Sequence, residues 1–395
     1  MEGDFININK KLLPLGWLYG IGVGFRNMLF EMGVLKSQSY SIPIISIGNI
    51  TVGGTGKTPH VEYLIRLLKG KMNVAVLSRG YKRKSRGFLV AQEDTPMQKI
   101  GDEPYQMKQK FPEITVAVDK KRTRGIERLT AGAAKKDIDV VLLDDAFQHR
   151  YVKPGINILL TDYHRLFIYD ELLPVGRLRE PIRSKDRADI VIVTKCPRDL
   201  KPMEFRVITK ALSLYPYQQL YFSTHEYDTP RALFPEAADH QTAPKSIDYL
   251  AGKNVLLLTG IASPEQMEHD LTPIVANLTP LSFSDHHQFK SKDVTRINDT
   301  FNSLPEPKMI VTTEKDATRL TQVEGLSEEV RKSLYVLPIH ITLMQDQEKV
   351  FNKNILGYVR KNSRNSILAK GKDDNKSKDS NHTGDRPRTI SFRNH

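Results

Sequence analysis

Eight consecutive residues carry the clearest chemistry in this 395-residue chain: Thr51, Val52, Gly53, Gly54, Thr55, Gly56, Lys57 and Thr58. They follow an apolar run at 42–47 (IPIISI) and precede a helical pattern at 59–69. Glycines at 53, 54 and 56 permit positive-φ turns, so successive backbone N–H groups can wrap a phosphate. The helix behind them adds its positive N-terminal end. In such a loop Lys57 neutralises β- and γ-phosphate charge, and Thr58 offers its hydroxyl to Mg²⁺. The usual pattern opens on glycine, a position held here by Thr51. A second chemical segment, DVVLLDDAFQHR at 139–150, sends Asp144 and Asp145 out of the carboxyl end of a buried strand. That edge is where ligands bind in open α/β sheets, and a phosphate loop needs a carboxylate there for its metal. Asp144 is the favoured ligand. Asp145 is expected to assist it or to orient Gln148 or His149, both candidates for substrate contact. Glu180 is a further metal-side carboxylate or, more plainly, a salt-bridge residue in a charged loop. A guanine reader is missing: Thr194-Lys195-Cys196-Pro197 lacks the required Asp, which favours ATP over GTP.

These groups need a scaffold, and the apolar runs supply one. Runs at 42–47, 73–77, 114–118, 139–143, 156–160 and 189–193 are nearly continuous, as strands buried on both faces of a parallel sheet are. Helical patterns between them predict a doubly wound α/β core over 37–205. Residues 206–250 read as a linker, and runs at 254–258, 308–312 and 335–339 predict a smaller α/β domain over 251–360. The segment beyond 361, rich in Lys, Asp, Asn and Ser, predicts a disordered basic tail. Residues 12–25 hold no charge, but Arg26 and several glycines make the run too short for a bilayer span. Trp17 and Tyr19, with Lys10, Lys11 and Arg26 at the flanks, suit a helix within 1–36 lying in a membrane interface. A single cysteine, Cys196, excludes an intramolecular disulfide framework and a cysteine-cluster zinc site. Lys and Arg number 59 against 46 Asp and Glu, and the +13 excess predicts anionic partners. Nucleic acid is not expected among them, because no recognition motif or aromatic platform accompanies the charge.

The motifs resemble one family closely, tetraacyldisaccharide 4'-kinase, the lipid A 4'-kinase of Gram-negative envelope synthesis. The resemblance rests on SIGNITVGGTGKTP (46–59), SRGYKRKSRG (78–87), GDEP (101–104), LLDDAFQHR (142–150), LLPVGRLREP (172–181), TGIASPEQ (259–266), SDHHQF (284–289) and TTEKDATRL (312–320). Thr51 is the family's residue at that position, whereas Ser284 replaces a proline. The resemblance implies a P-loop NTPase-like core, a two-stranded linker, a smaller C-terminal α/β domain, and an N-terminal helix docked on the cytoplasmic face of the inner membrane. It implies γ-phosphoryl transfer from Mg-ATP to the 4'-hydroxyl of a tetraacylated glucosamine disaccharide 1-phosphate, the lipid A precursor, giving lipid IVA. It further implies that Asp102 is the base and His286 its partner, a monomer being expected. From the residues alone, Asp102 reads more readily as a helix N-cap, and His287 rivals His286. Glu103 is placed to touch metal or sugar. Arg79, Arg124, Arg177 and Arg179 are the cations expected on the phosphates, although charge runs are often only solvated faces. The competing function is a membrane-anchored P-loop ATPase switch or partner-binding module, which has no need of Asp102 or His286.

Overall fold

The computed structural model describes residues 8–376 apart from 135, 238–243, 245, 262, 263 and 286. The first six apolar runs become parallel strands, and two unforeseen strands join them. In chain order these are β1 (Ile44–Asn49), β2 (Val74–Ser78), β3 (Leu89–Val90), β4 (Thr115–Val118), β5 (Val140–Asp144), β6 (Ile156–Asp162), β7 (Ile190–Thr194) and β8 (Gln219–Tyr227). A second sheet follows, built from β9 (Arg231–Ala232), β10 (Asn254–Thr259), β11 (Asn277–Ser282), β12 (Lys308–Thr312) and β13 (Leu334–Val336). The chain then returns to the first sheet as β14 (Ile339–Leu343). The first sheet has nine strands in the order β14-β8-β7-β6-β1-β5-β2-β4-β3; the second has five, β11-β10-β12-β13-β9.

The central place of β1 decides where the chemistry sits. Its Ile47 lies level with Asp144 of β5, so the loop after β1 and the carboxylates after β5 emerge side by side. Ile45 and Ile47 pack below against Val61, Leu64, Ile65 and Leu68 of the helix α2 (Lys57–Leu68) that follows the loop. Each fully buried aliphatic side chain of this kind contributes about 1.5–3 kcal/mol. The loop is therefore clamped between two rigid elements.

Three expectations about organisation need correction. The segment 206–250 is not merely a connector, since β8 within it pairs in parallel with β7 and antiparallel with β14. The run at 335–339 is not one strand: Leu337 and Pro338 part β13 from β14, which lie in different sheets. The lack of an N–H on Pro338 suits that break. The chain past 361 is not unstructured from its start, because the last helix, Glu348–Lys376, runs through it. Phe351, Ile355 and Val359, one turn apart, are buried in the first core and anchor that helix. Residues 377–395 lie outside the described ones.

The apolar run near the N-terminus forms the helix α1, Leu13–Glu31. Its inner side rests on the 172–180 loop, where a Cβ on Gly16 would meet Val175 and one on Gly20 would touch Leu172. Its outer side exposes Leu15, Trp17, Leu18, Ile21, Phe25 and Met28. Among the described residues no helix is long and apolar enough to cross a membrane.

Candidate active site

The phosphate loop is held open by its neighbours. Val52 donates its N–H to the Arg177 carbonyl at 2.8 Å, Asn49 Nδ2 donates to Thr55 Oγ1 at 2.7 Å, and Thr194 Oγ1 donates to the Thr55 carbonyl at 3.1 Å. Gly53 (φ 118°) and Gly56 (φ 75°) take the left-handed turns, while Gly54 does not. Gly56 caps α2 (Lys57–Leu68), and its carbonyl lies 2.7 Å from His60 Nδ1. His60 is buried, and that burial pushes its imidazole down to about 4. It is a neutral strut that also contacts Ser223 Oγ at 3.0 Å.

The two adjacent aspartates play opposite electrostatic parts. Burial alone would raise the Asp145 carboxyl, but Lys57 and Arg179 outweigh it and hold Asp145 well below the ordinary carboxylate range. Lys57 Nζ lies 3.6 Å and Arg179 Nη2 3.0 Å from Asp145 Oδ1. Asp144 is buried and pushed up to about 6 by desolvation, with Asp145 and Glu103 adding like charge. Ser78 Oγ donates to its Oδ2 at 3.0 Å, and Arg122 Nη2 donates to its carbonyl at 2.9 Å. The Asp144 carboxylate thus has too little positive charge for its burial. A divalent cation would supply it.

The other expected residues divide into those at this edge and those already committed. Arg179 also grips the Asn49 carbonyl at 3.1 Å. Gln148 donates Nε2 to that same carbonyl at 2.7 Å, so its amide braces the loop. His149 is pushed down to about 4 by burial and by Arg122, Arg26 and Arg79, which makes it a neutral ring. Glu180 is buried between two arginines: Arg187 lies 2.5 Å and Arg26 3.9 Å from its oxygens. Its Oε1 has no hydrogen-bond partner. Arg124 is occupied by a two-point contact with buried Asp119, at 2.7 and 2.8 Å. Arg79 and Arg177 have exposed side chains. Asp102 is the first residue of the helix Asp102–Lys110, whose cap is Gly101 without any side-chain bond. Its carboxylate does not act as a cap and instead takes Arg319 Nη2 at 2.8 Å. Glu103 faces Lys315 Nζ at 3.7 Å. His286 lies outside the described residues; its rival His287 is bound to Asp293 at 2.9 Å and stacks on Phe283.

Several contributors were not foreseen. Arg122 and Ser78 lie under Asp144, and Arg319 and Lys315 come from the helix Glu314–Leu320 that follows β12. Tyr19 and Arg26 of α1 donate to the Arg179 and Gln148 carbonyls, each at 2.9 Å. Arg122 stands beside Lys120, Lys121 and Arg124 in the sequence, and its burial sets it apart from them.

A family model described as tetraacyldisaccharide-1-P 4'-kinase matches residues 8–360. The chain belongs to that family. Curated relatives named tetraacyldisaccharide 4'-kinase agree over nearly their whole length. The one from Phocaeicola vulgatus is 56% identical over 367 residues, covering 93% of this chain and 99% of that protein. The one from Bacteroides thetaiotaomicron is 53% identical over 373 residues, covering 93% and 98%. Among solved structures, a crystal structure of the "apo" form of the Aquifex aeolicus family member in complex with ATP matches with a TM-score of 0.66. It is 29% identical and covers 88% of this chain and 98% of that one. The family's P-loop core and smaller second α/β unit are the architecture described above.

Proposed function

We propose that this protein transfers the γ-phosphoryl group of ATP to the 4'-hydroxyl of a tetraacylated glucosamine disaccharide 1-phosphate, a reading supported by its membership of the tetraacyldisaccharide-1-P 4'-kinase family. The observation that carries the reading is the meeting of three parts at one sheet edge. These are the loop ending in Lys57 and Thr58, the aspartate pair after β5, and the Asp102–Glu103 pair, whose Glu103 lies near enough to load Asp144 electrostatically. Residues 51–58 bind the phosphates, and Lys57 neutralises charge on the group in transit. Mg²⁺ fits the under-compensated Asp144, with Thr58 as its second protein ligand and Asp145 beside it. Among the described residues no cluster of three or more His, Cys, Asp or Glu could hold a metal alone. That suits a cation that arrives bound to phosphates. When bound, it screens charge on the triphosphate. Glu180, with one oxygen unbonded, is the reserve carboxylate on that side.

Asp102, paired with His286 as the resemblance implies, accepts the hydroxyl proton. Glu103, Gln148 and His149 line the acceptor side, and Arg79, Arg177 and Arg179 meet its phosphate or the transferring group. Arg124, committed to Asp119, supports from behind. The exposed apolar face of α1 supports docking on the cytoplasmic face of the inner membrane, where such an acceptor resides. Both lobes of the site come from one chain, which supports a monomer. The test is direct: purified protein, Mg-ATP and the monophosphorylated lipid disaccharide, with product analysed for a 4'-phosphate. Product lacking it refutes the kinase and leaves the ATPase-switch reading.

A further inference from the structure

The contact between the two α/β units contains a buried cation that the phosphate chemistry leaves unexplained. Arg319, on the helix Glu314–Leu320 that follows β12, is 2% exposed. Its Nε and Nη2 donate to Asp102 Oδ2 at 3.1 and 2.8 Å, and its Nη1 donates to Asp316 Oδ1 at 3.1 Å. Asp316 is itself fixed, since its Oδ2 accepts from the Gly260 N–H at 2.9 Å and from Thr313 Oγ1 at 2.7 Å. A continuous chain of charge-assisted bonds therefore runs from the loop after β10, through Asp316 and Arg319, to the first residue of the Asp102 helix. Taking a guanidinium out of water is costly unless its partners are well placed. A planar fork also fixes the orientation of the carboxylate it grips, which a lysine cannot do.

We propose that Arg319 is a positioning residue for the proton acceptor. It orients the Asp102 carboxylate and keeps it ionised, so that apposition of the second unit makes the first one competent. The inference rests on the reading of Asp102 given above. In the transfer, the acceptor's hydroxyl oxygen bonds to the γ-phosphorus while the bond from that phosphorus to the bridging oxygen breaks. The electron pair leaves on ADP and the hydroxyl proton passes to Asp102. An Asp102 that is already protonated, or turned aside, cannot receive it. Among the described residues, the charged groups on this side are Arg319 on the carboxylate itself, Asp316 behind that guanidinium, and Glu103, next on the same helix, which faces Lys315 of the second unit. Asp285, after β11, is held by Lys315 at 2.9 Å.

The test measures kcat, both KM values and the pH profile of the full chain carrying Arg319→Gln or Arg319→Lys, with thermal unfolding as the check on folding. Arg319→Gln should lower kcat by roughly 10- to 100-fold. It should move the acidic limb of the profile to higher pH and leave the KM for ATP unchanged. Arg319→Lys keeps the charge, so its limb should stay in place while only part of the rate returns. Adding Arg319→Gln to Asp102→Asn should cost little more, because both act through one group. A folded Arg319→Gln protein with wild-type kcat, or with a lowered kcat and an unmoved limb, would overturn the proposal. So would independent, multiplicative losses in the double variant. If Arg319→Gln does not fold, Arg319→Lys decides: an undiminished kcat refutes, and a reduced kcat with the limb in place supports. Failure of the underlying reading shows elsewhere, as wild-type protein yielding no 4'-phosphate or Asp102→Asn keeping full turnover.

Discussion

At the phosphate loop, Lys57, Asp145 and Asn49 are brought together by the turns that leave two adjacent parallel strands, and backbone geometry does most of the positioning. Asp102, by contrast, meets Arg319 across 217 positions of sequence and from a different sheet. The first edge is present as soon as β1, β5 and α2 have packed. The second exists only while two separately cored units touch. Binding nucleotide and removing a proton are therefore entrusted to structures with different tolerance for disturbance, and substitutions at the two edges should fail in different ways.

The largest expected effect lies at the loop. Lys57→Ala removes the cation from the phosphates and leaves Asp145 with Arg179 alone, so kcat/KM should fall by about 10³-fold or more with ATP binding lost as well. Nucleotide titration beside the kinetic assay checks this, and retained ATP affinity would break the contrast. Asp102→Asn should lower kcat by about 10²- to 10⁴-fold while the KM for ATP holds. Acid should discriminate next. His60 and His225, held at about 4 and about 3 by burial, stay neutral in the fold while the unfolded chain protonates near 6.5. The unfolded state then binds more protons. Stability is fully present above that pH and declines as pH falls toward 4, by about 1.4 kcal/mol per pH unit for each histidine. Chemical denaturation at neutral and mildly acid pH measures the slope, which His60→Gln should flatten. The smallest effect belongs to Arg177→Ala: its side chain is exposed and only its carbonyl holds the loop, so a few-fold rise in the lipid KM is expected. A loss as deep as that of Arg179→Ala, read in the same assay, would place Arg177 with the loop machinery instead.

The same contrast explains what could be read in advance. Residues 51–58 and 139–150 announce themselves because each is a local pattern, a buried strand ending in glycines or carboxylates. The six parallel strands were legible for the same reason. Residues 219–227 (QLYFSTHEY) mix polar and apolar side chains, so β8 passed for part of a linker although it borders β7. In TTEKDATRL, Arg319 is surrounded by charge and reads as part of a solvated helix; the only hint was an acid three positions earlier, Asp316. Asp102 resembled a cap, but the N-cap position is Gly101 and the Asp102 carboxylate turns to Arg319 instead. Arg124 looked available to the phosphates, and its two-point contact with buried Asp119 shows it committed elsewhere. Local chemistry is written in short stretches, whereas partnerships between distant units need coordinates.

β8 and β14 pair as an antiparallel ribbon at the edge of the first sheet. The chain leaves the nine-stranded sheet on one and comes back on the other, so the five-stranded unit is an insertion fastened at both ends. A unit so tethered cannot swivel freely; its remaining freedom is to flex about the ribbon. A double tether holds Arg319 near Asp102 at an effective concentration that a single flexible leash would not maintain.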